Sequence, residues 1–259
     1  MNDLEGKIVL VTGASRGIGR AIALAFASQK SSVAIAGRNQ TTLDAVAAEI
    51  RGLGAKSFPR VCDVTQKPEV ERLKQDILDR FGTVQVLVNN VGIAPAADFL
   101  GMEDGLWEEV LKVNLTSVYN CCKVFLAEML AAKWGRIINI ASTVAKVSYP
   151  YISAYATSKH AVLGLTRSLA IETAKFGVTV NAVCPGYVNT DLTQRNAQLL
   201  AEQISRPVEE ALASLAHTSP QKRLMEPEEV ASLTVMLASG SARGITGQAI
   251  NIDGGAVMV

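Results

Sequence analysis

Short apolar runs alternate with longer amphipathic segments along almost the whole chain. The short runs are KIVLVTG (7–13), SSVAIAG (31–37), KSFPRVC (56–62), VQVLVNN (84–90), GRIINIAS (135–142), GVTVNAVCPG (177–186) and GQAINIDGG (247–255). Most are rich in Val and Ile and poor in charge, which suits strands buried on both faces. The intervening segments 17–30, 42–54, 68–82, 116–133, 161–177 and 227–239 space their apolar residues at helical intervals. Strand, helix, strand in steady succession implies right-handed crossovers and a parallel sheet between two helix layers. The pattern predicts a single α/β domain over residues 1–259. Its core is a doubly wound Rossmann sheet of about seven strands in the order 3-2-1-4-5-6-7.

Two irregularities refine this picture. Pro59 lies inside the third strand and cannot donate to a sheet ladder, so that strand belongs at an edge. Strand 3 of this order is an edge. Residues 190–220 read as amphipathic helix where a short loop would serve. An insertion after strand 6, ahead of the last helix and strand, is placed to act as a substrate lid. A surface hairpin without ligand contact is the plainer alternative.

Hydrophobic residues make up 49% of the chain and charged residues 19%, enough for a large core. Lys plus Arg number 25 against 24 Asp plus Glu, a net charge of +1. That balance gives no electrostatic basis for nucleic acid or an anionic membrane as partner. No apolar run approaches the ~18 residues of a membrane span. The acidic, polar start MNDLEGK does not read as a targeting peptide. Cys62, Cys121, Cys122 and Cys184 form no C-x-x-C pair, and the only histidines are His160 and His217. The expectation is no metal, cysteines that serve packing, and a reducing cytoplasmic setting.

Candidate chemistry begins with VTGASRGIG, between the first strand and the first helix. Gly13 permits a tight turn, Gly17 lets the backbone approach a pyrophosphate, and Gly19 lets helix and strand pack closely. The helix N-terminus offers unpaired N–H groups to the anion. The spacing is G-x-x-x-G-x-G; its position opening a βαβ unit is what makes it informative. At the end of strand 2, where an NAD site places a carboxylate, the chain has Gly37 and Arg38. Arg16 in the loop is a second guanidinium. Two cations and no carboxylate favour a 2′-phosphate, hence NADP(H) over NAD(H). Asp63, after strand 3, either meets an adenine amino group or caps a turn.

Farther along, NNVG (Asn89 to Gly92) ends strand 4, NIAS brings Ser142 to the end of strand 5, and Tyr155 and Lys159 follow four residues apart on one helix face. With T-G-x-x-x-G-x-G, Asn114 and the Pro185–Gly186 pair, this set resembles the short-chain dehydrogenase/reductase family over nearly the whole chain, from Thr12 to Gly255. Within that family the chain looks most like 3-oxoacyl-carrier-protein reductases, polyketide ketoreductases and 3-hydroxyacyl dehydrogenases.

The resemblance implies a catalytic set of Asn114, Ser142, Tyr155 and Lys159. Tyr155 would exchange a proton with the substrate oxygen, which Ser142 hydrogen-bonds. Lys159 would hold the nicotinamide ribose, and Asn114 would anchor a water linking Lys159 to solvent. The resemblance also implies cofactor contacts from Ser15, Ile18, Val64, Asn90, Gly92, Pro185, Gly186, Val188 and Thr190. These join Gly13, Arg16, Gly17, Gly19, Arg38, Asp63, Tyr155 and Lys159. A nearby ammonium is expected to lower the phenol's pKa from its ordinary ~10. Singly, Ser142 reads as a cap or turn residue, Asn114 as a helix cap and Tyr155 as packing. Val91 departs from the family's usual alanine, and Asp191 stands where an apolar residue is common.

Tyr149, Tyr151, Val144 and Tyr187, with Ile93, Pro95 and the lid, would frame a mostly apolar pocket suited to an acyl or cyclic ketone. Arg195, Arg206, Lys222 and Arg223 read as surface cations that alternatively meet a carrier or CoA phosphate. The expected activity is NADPH-dependent reduction of a ketone, with a 3-oxoacyl thioester first in line. The alternatives are an NAD(P)-linked hydroxyacyl or secondary alcohol dehydrogenase and a non-catalytic cofactor-binding protein. The resemblance further implies a homotetramer.

Overall fold

A computed structural model describes residues 3–204 and 206–259. Seven strands form one parallel sheet: β1 (Ile8–Thr12), β2 (Ser32–Gly37), β3 (Ser57–Val61), β4 (Val86–Asn89), β5 (Gly135–Ile140), β6 (Val178–Pro185) and β7 (Ala249–Ile252). Their order is β3-β2-β1-β4-β5-β6-β7, as the sequence pattern predicts. Pro59 stands opposite Ile35 on β3, which pairs only with β2 and so is an edge. The missing N–H of Pro59 therefore costs no ladder bond.

The helices are α1 (Gly17–Ser28), α2 (Gln40–Gly52), α3 (Lys67–Arg80), α4 (Asp104–Leu111), α5 (Ser117–Ala131), α6 (Ser153–Thr173), α7 (Asp191–Ile204), α8 (Val208–His217) and α9 (Pro227–Ala238). Alternate strand residues feed different cores. Val9 and Val11 join Ile22, Phe26, Leu43 and Val230 on one face. Leu10 joins Leu73, Phe125, Val162 and Ala182 on the other. Along the central strands β1, β2, β4, β5 and β6 both faces are dry, which is why these read as unbroken apolar runs.

One helix lies outside the segments that periodicity predicts. α4 leads into α5 through a π turn (Lys112–Thr116), giving one continuous helical rod with Asn114 inside the turn. The wider turn breaks the helical spacing that the sequence pattern relies on, and π turns of this kind gather at functional sites.

The segment 190–220 folds as α7 and α8, which pack on each other through Ala197, Ala201 and Ala211. Asp191 opens α7, where its charge favours the positive end of the helix dipole. No helix among the described residues is long and apolar enough to cross a membrane.

Candidate active site

Because the sheet is parallel, β1, β4, β5 and β6 all end on one edge. The chain leaves β1 toward β2 and β3 on one side, and β4 begins the run to the other side. The switch point between β1 and β4 opens a crevice there.

The glycine loop borders that crevice. Gly13 and Gly17 have φ of +64° and +52°, conformations that favour glycine. A Cβ on Gly19 would run into the Gly13 carbonyl and approach Asn90 Nδ2 to 2.5 Å. Arg16 precedes α1 in extended conformation and contributes no side-chain cap, so the first turn of α1 keeps its N–H groups for another acceptor. Val91 presses the same loop: its Cγ2 would lie 3.1 Å from a Cβ on Gly13. The valine thus packs on the loop from beneath. A pyrophosphate fits this cradle of positive-φ glycines and uncapped N–H groups. Ser15 and Ile18 are half-buried beside it, while Arg16 and Arg38 are exposed.

Asn90 is spent on the loop itself. Its Nδ2 donates to the Thr12 and Gly13 carbonyls, both at 3.1 Å, and its N–H donates to Thr12 Oγ1 at 3.0 Å. Asp63 shapes the turn, its Oδ1 accepting the Thr65 N–H at 3.0 Å. Buried Val64 follows, and Asn120 holds this corner by donating to the Val64 and Thr65 carbonyls at 3.1 and 3.2 Å. Sequence reasoning missed Asn120 and gave Thr12 no role beyond the motif. The available signal for Asn120 is a polar residue at a core position of α5, within SVYNCCKV.

At the end of β5, Ser142 starts a short 3-10 turn (Thr143–Ala145), and its Oγ accepts the Val144 N–H at 3.1 Å. The Tyr155 phenol, in the first turn of α6, faces the same side chain. One turn on, Lys159 is buried and donates from Nζ to the Ile140 carbonyl at 2.9 Å. Asn114 is fully buried and fully used. Its Oδ1 accepts the Ile93 N–H at 2.8 Å, and Nδ2 donates to the Ile93 carbonyl at 2.9 Å and to Ser158 Oγ at 3.0 Å. It is a clamp between the π turn, the loop after β4 and α6, and does not cap a helix. A Cβ on Gly92 would sit 3.3 Å from Asn114 Oδ1 and 3.4 Å from Lys159 Nζ, so both polar ends point at this one glycine.

The electrostatics differ from the expectation that Lys159 lowers the Tyr155 pKa. Burial pushes the phenol up, and the neighbouring Ser142 hydroxyl offsets part of that. Burial also brings Lys159 down to about 8. Desolvation leads the causes of the phenol's shift and the Lys159 ammonium, 5.8 Å from the Tyr155 ring centroid, is not among them.

Pro185 closes β6, and a Cβ on Gly186 would meet Asp253 at 3.0 Å. Buried Val188 bridges to Met225 in parallel pairing, and Thr190 Cγ2 would lie 3.4 Å from a Cβ on Gly17. The loop after β6 therefore reaches back over the glycine loop. Of the expected pocket residues, Tyr149, Tyr151 and Tyr187 are exposed, Ile93 and Pro95 half-buried, and Val144 buried. Tyr151 has φ of +67°, and its carbonyl accepts the Ala97 N–H at 2.8 Å. Arg206 pairs with Glu210, and Arg223 with Glu229, whose carboxyl falls to about 2 through that bond. A cavity of about 480 Å3 between Ile8, Gln85, Met129 and Trp134 contains none of the expected site residues. Its lining comes from the end of α5 and the chain after it, with the start of β1 and the residues leading into β4, away from the crevice edge.

A family model described as short chain dehydrogenase matches residues 7–200. The chain is 40% identical over 260 residues to a 3-oxoacyl-(acyl carrier protein) reductase of a Synechocystis species, covering 100% of both. It is 37% identical over 255 residues to a D-beta-hydroxybutyrate dehydrogenase of Cupriavidus necator, covering 97% of this chain and 98% of that protein. A crystal structure of a variant actinorhodin polyketide ketoreductase with NADPH superposes with a TM-score of 0.94 at 36% identity, covering 99% of this chain and 98% of that one.

Proposed function

The chain belongs to the short-chain dehydrogenase family, and from that premise we propose that it is an NADPH-dependent ketoreductase whose substrate is a 3-oxoacyl thioester or a related ketone. The observation that carries this reading is the convergence of Ser142, Tyr155 and Lys159 at the end of β5, with Asn114 locked beside them.

NADPH, when bound, supplies the hydride. The chain does the rest. Ser142 donates to the carbonyl oxygen as charge develops there. Tyr155 delivers the proton to that oxygen. Its phenol, ordinarily ~10 and pushed higher by burial, carries its proton at neutral pH, which is the form reduction requires. Lys159 faces the ribose of the nicotinamide half, and Asn114 keeps the Lys159 end of α6 and the Gly92 loop in register. Gly13, Ser15, Gly17, Ile18 and Gly19 take the pyrophosphate. Arg16 and Arg38 take the 2′-phosphate, Asp63 and Val64 border the adenine, and Asn90 and Gly92 support the adjoining ribose. Pro185, Gly186, Val188 and Thr190 line the nicotinamide side. The helices α7 and α8 serve as the lid over the substrate.

The relation to NADPH-bound actinorhodin ketoreductase and to a 3-oxoacyl reductase supports the reductive direction. The relation to a D-beta-hydroxybutyrate dehydrogenase favours a second reading, oxidation of a 3-hydroxyacid. Initial rates of NADPH consumption with acetoacetyl thioesters and cyclic ketones, set against NAD+ reduction with 3-hydroxybutyrate, separate the two. Turnover only in the second assay would replace the first reading, and no turnover in either would favour a binding protein.

Assembly as a homotetramer through α5 and α6 belongs to the same proposal. Tyr119 and Ile171 on these helices remain 48% and 81% exposed. A gel-filtration mass near one subunit would count against it. The four free thiols are buried, which suits a reducing, cytoplasmic setting.

A further inference from the structure

We propose that Lys146 is a positioning residue for Ser142, fastening the turn that carries the serine hydroxyl to β7 and the C-terminal segment. The proposal rests on the role given to Ser142 above.

The turn after β5 is short, and its own hydrogen bonds are local. Val144 N–H reaches Ser142 Oγ at 3.1 Å, Ala145 N–H reaches the Ser142 carbonyl at 3.0 Å, and Lys146 N–H reaches the Thr143 carbonyl at 2.9 Å. These bonds shape the turn, and the Ala141 N–H fixes its start to the Val183 carbonyl of β6 at 2.8 Å. Lys146 supplies a second long-range tie, at the far end of the turn. Its Nζ donates to the Ala249 carbonyl at 2.7 Å and to the Val259 carbonyl oxygen at 2.6 Å, across 103 and 113 residues of sequence. Both are charge-assisted bonds, the stronger kind.

The far end of this strut is itself well held. Ala249 pairs with Ala182, and Ile252 with Pro185, so β7 is registered on the strand that ends at the Pro185–Gly186 loop. The segment beyond β7 is closed by Asp253, whose carboxylate accepts the Gly255 and Val257 N–H groups at 3.0 and 2.9 Å. Asn251 adds a bond from Nδ2 to the Val257 carbonyl at 2.6 Å. From the sheet side, the Cys184 thiol lies against the Ser142 backbone and within the field of Lys146. The Ser142 turn is thereby referred to the same frame as the loop after β6.

A hydroxyl that must meet a developing oxyanion has little tolerance. Misplacement by about 1 Å costs on the order of 100-fold in rate. Lys146 touches neither substrate nor cofactor in this scheme; it acts through Ser142.

The test is steady-state kinetics on the full chain with NADPH and an acetoacetyl thioester. The variants are Lys146→Met, Lys146→Arg, Ser142→Ala and the Ser142→Ala/Lys146→Met double substitution, each with its Tm and NADPH Kd measured. Lys146→Met should lower kcat by about tenfold or more. Its NADPH Kd should stay within about twofold, the scatter expected of an uncoupled site. Lys146→Arg should restore most of kcat. In the Ser142→Ala background, Lys146→Met should change kcat little, because no hydroxyl remains to misplace. An equal fold-loss in both backgrounds, or an undiminished kcat in Lys146→Met, overturns the proposal. Wild-type kcat in Ser142→Ala overturns it differently, by removing the role of Ser142 on which it stands.

Discussion

Lys159 Nζ lies 5.8 Å from the centroid of the Tyr155 ring and is tied to the Ile140 carbonyl at 2.9 Å. The lysine thus holds α6 to the end of β5, one turn along from the tyrosine. In this dry setting both groups are driven toward their neutral forms, the phenol up and the amine down to about 8. A proton is consequently present on the phenol throughout the neutral range.

The lysine leaves a signature in stability against pH. Below about 8 it is protonated in both states, and the folded chain bears the cost of burying an ammonium. Between about 8 and 10.5 the unfolded chain keeps the proton and the folded chain does not, so stability rises with pH through that window. That interval amounts to about 3 kcal/mol as an order of magnitude. Tyr155 acts oppositely and only above its ordinary value of 10, where the unfolded phenol ionises first. Denaturant titrations of wild type and Lys159→Met from pH 7 to ~10.5 should show the rise in the first and its absence in the second. Parallel curves would refute the assignment.

Asn114 is the clamp to test next. Asn114→Ala leaves the Ile93 N–H and carbonyl without their side-chain partners. The expected cost is about 1–3 kcal/mol of stability for a buried polar group left unpaired. It should come with a loss of kcat, because Ser158 and the Lys159 end of α6 lose the same anchor. A urea midpoint equal to that of wild type would contradict the clamp.

Cofactor choice is expected to depend on the guanidiniums beside the glycine loop. Arg38→Ala should weaken NADPH about tenfold or more, the size of a charge-assisted bond, and leave NADH nearly unchanged. Fluorescence titration with both nucleotides measures this. Equal losses for the two would remove Arg38 from the 2′-phosphate.

Much of the scaffold is legible in the sequence because its signals are local. Val9, Leu10 and Val11 announce a strand with two dry faces, and Pro59 announces an edge. The three loop glycines announce a tight approach that Gly19 makes literal. What periodicity misses is set by contacts between distant residues. Asn114 meets Ile93 across 21 residues, and Lys146 meets Ala249 across 103. The π turn around Asn114 breaks the very spacing by which helices are read, which hid α4. The Lys159–Tyr155 spacing was visible, yet the sign of the Tyr155 shift depended on burial, which spacing alone does not reveal.

The central claim is that Tyr155 delivers the proton at a site the rest of the chain holds ready. The direct measurement is single-turnover reduction of an acetoacetyl thioester by Tyr155→Phe, with NADPH binding followed in the same samples. The account predicts a loss on the order of 100- to 10,000-fold in the rate of the chemical step, with the NADPH Kd unchanged. A rate near that of wild type with cofactor bound would contradict it.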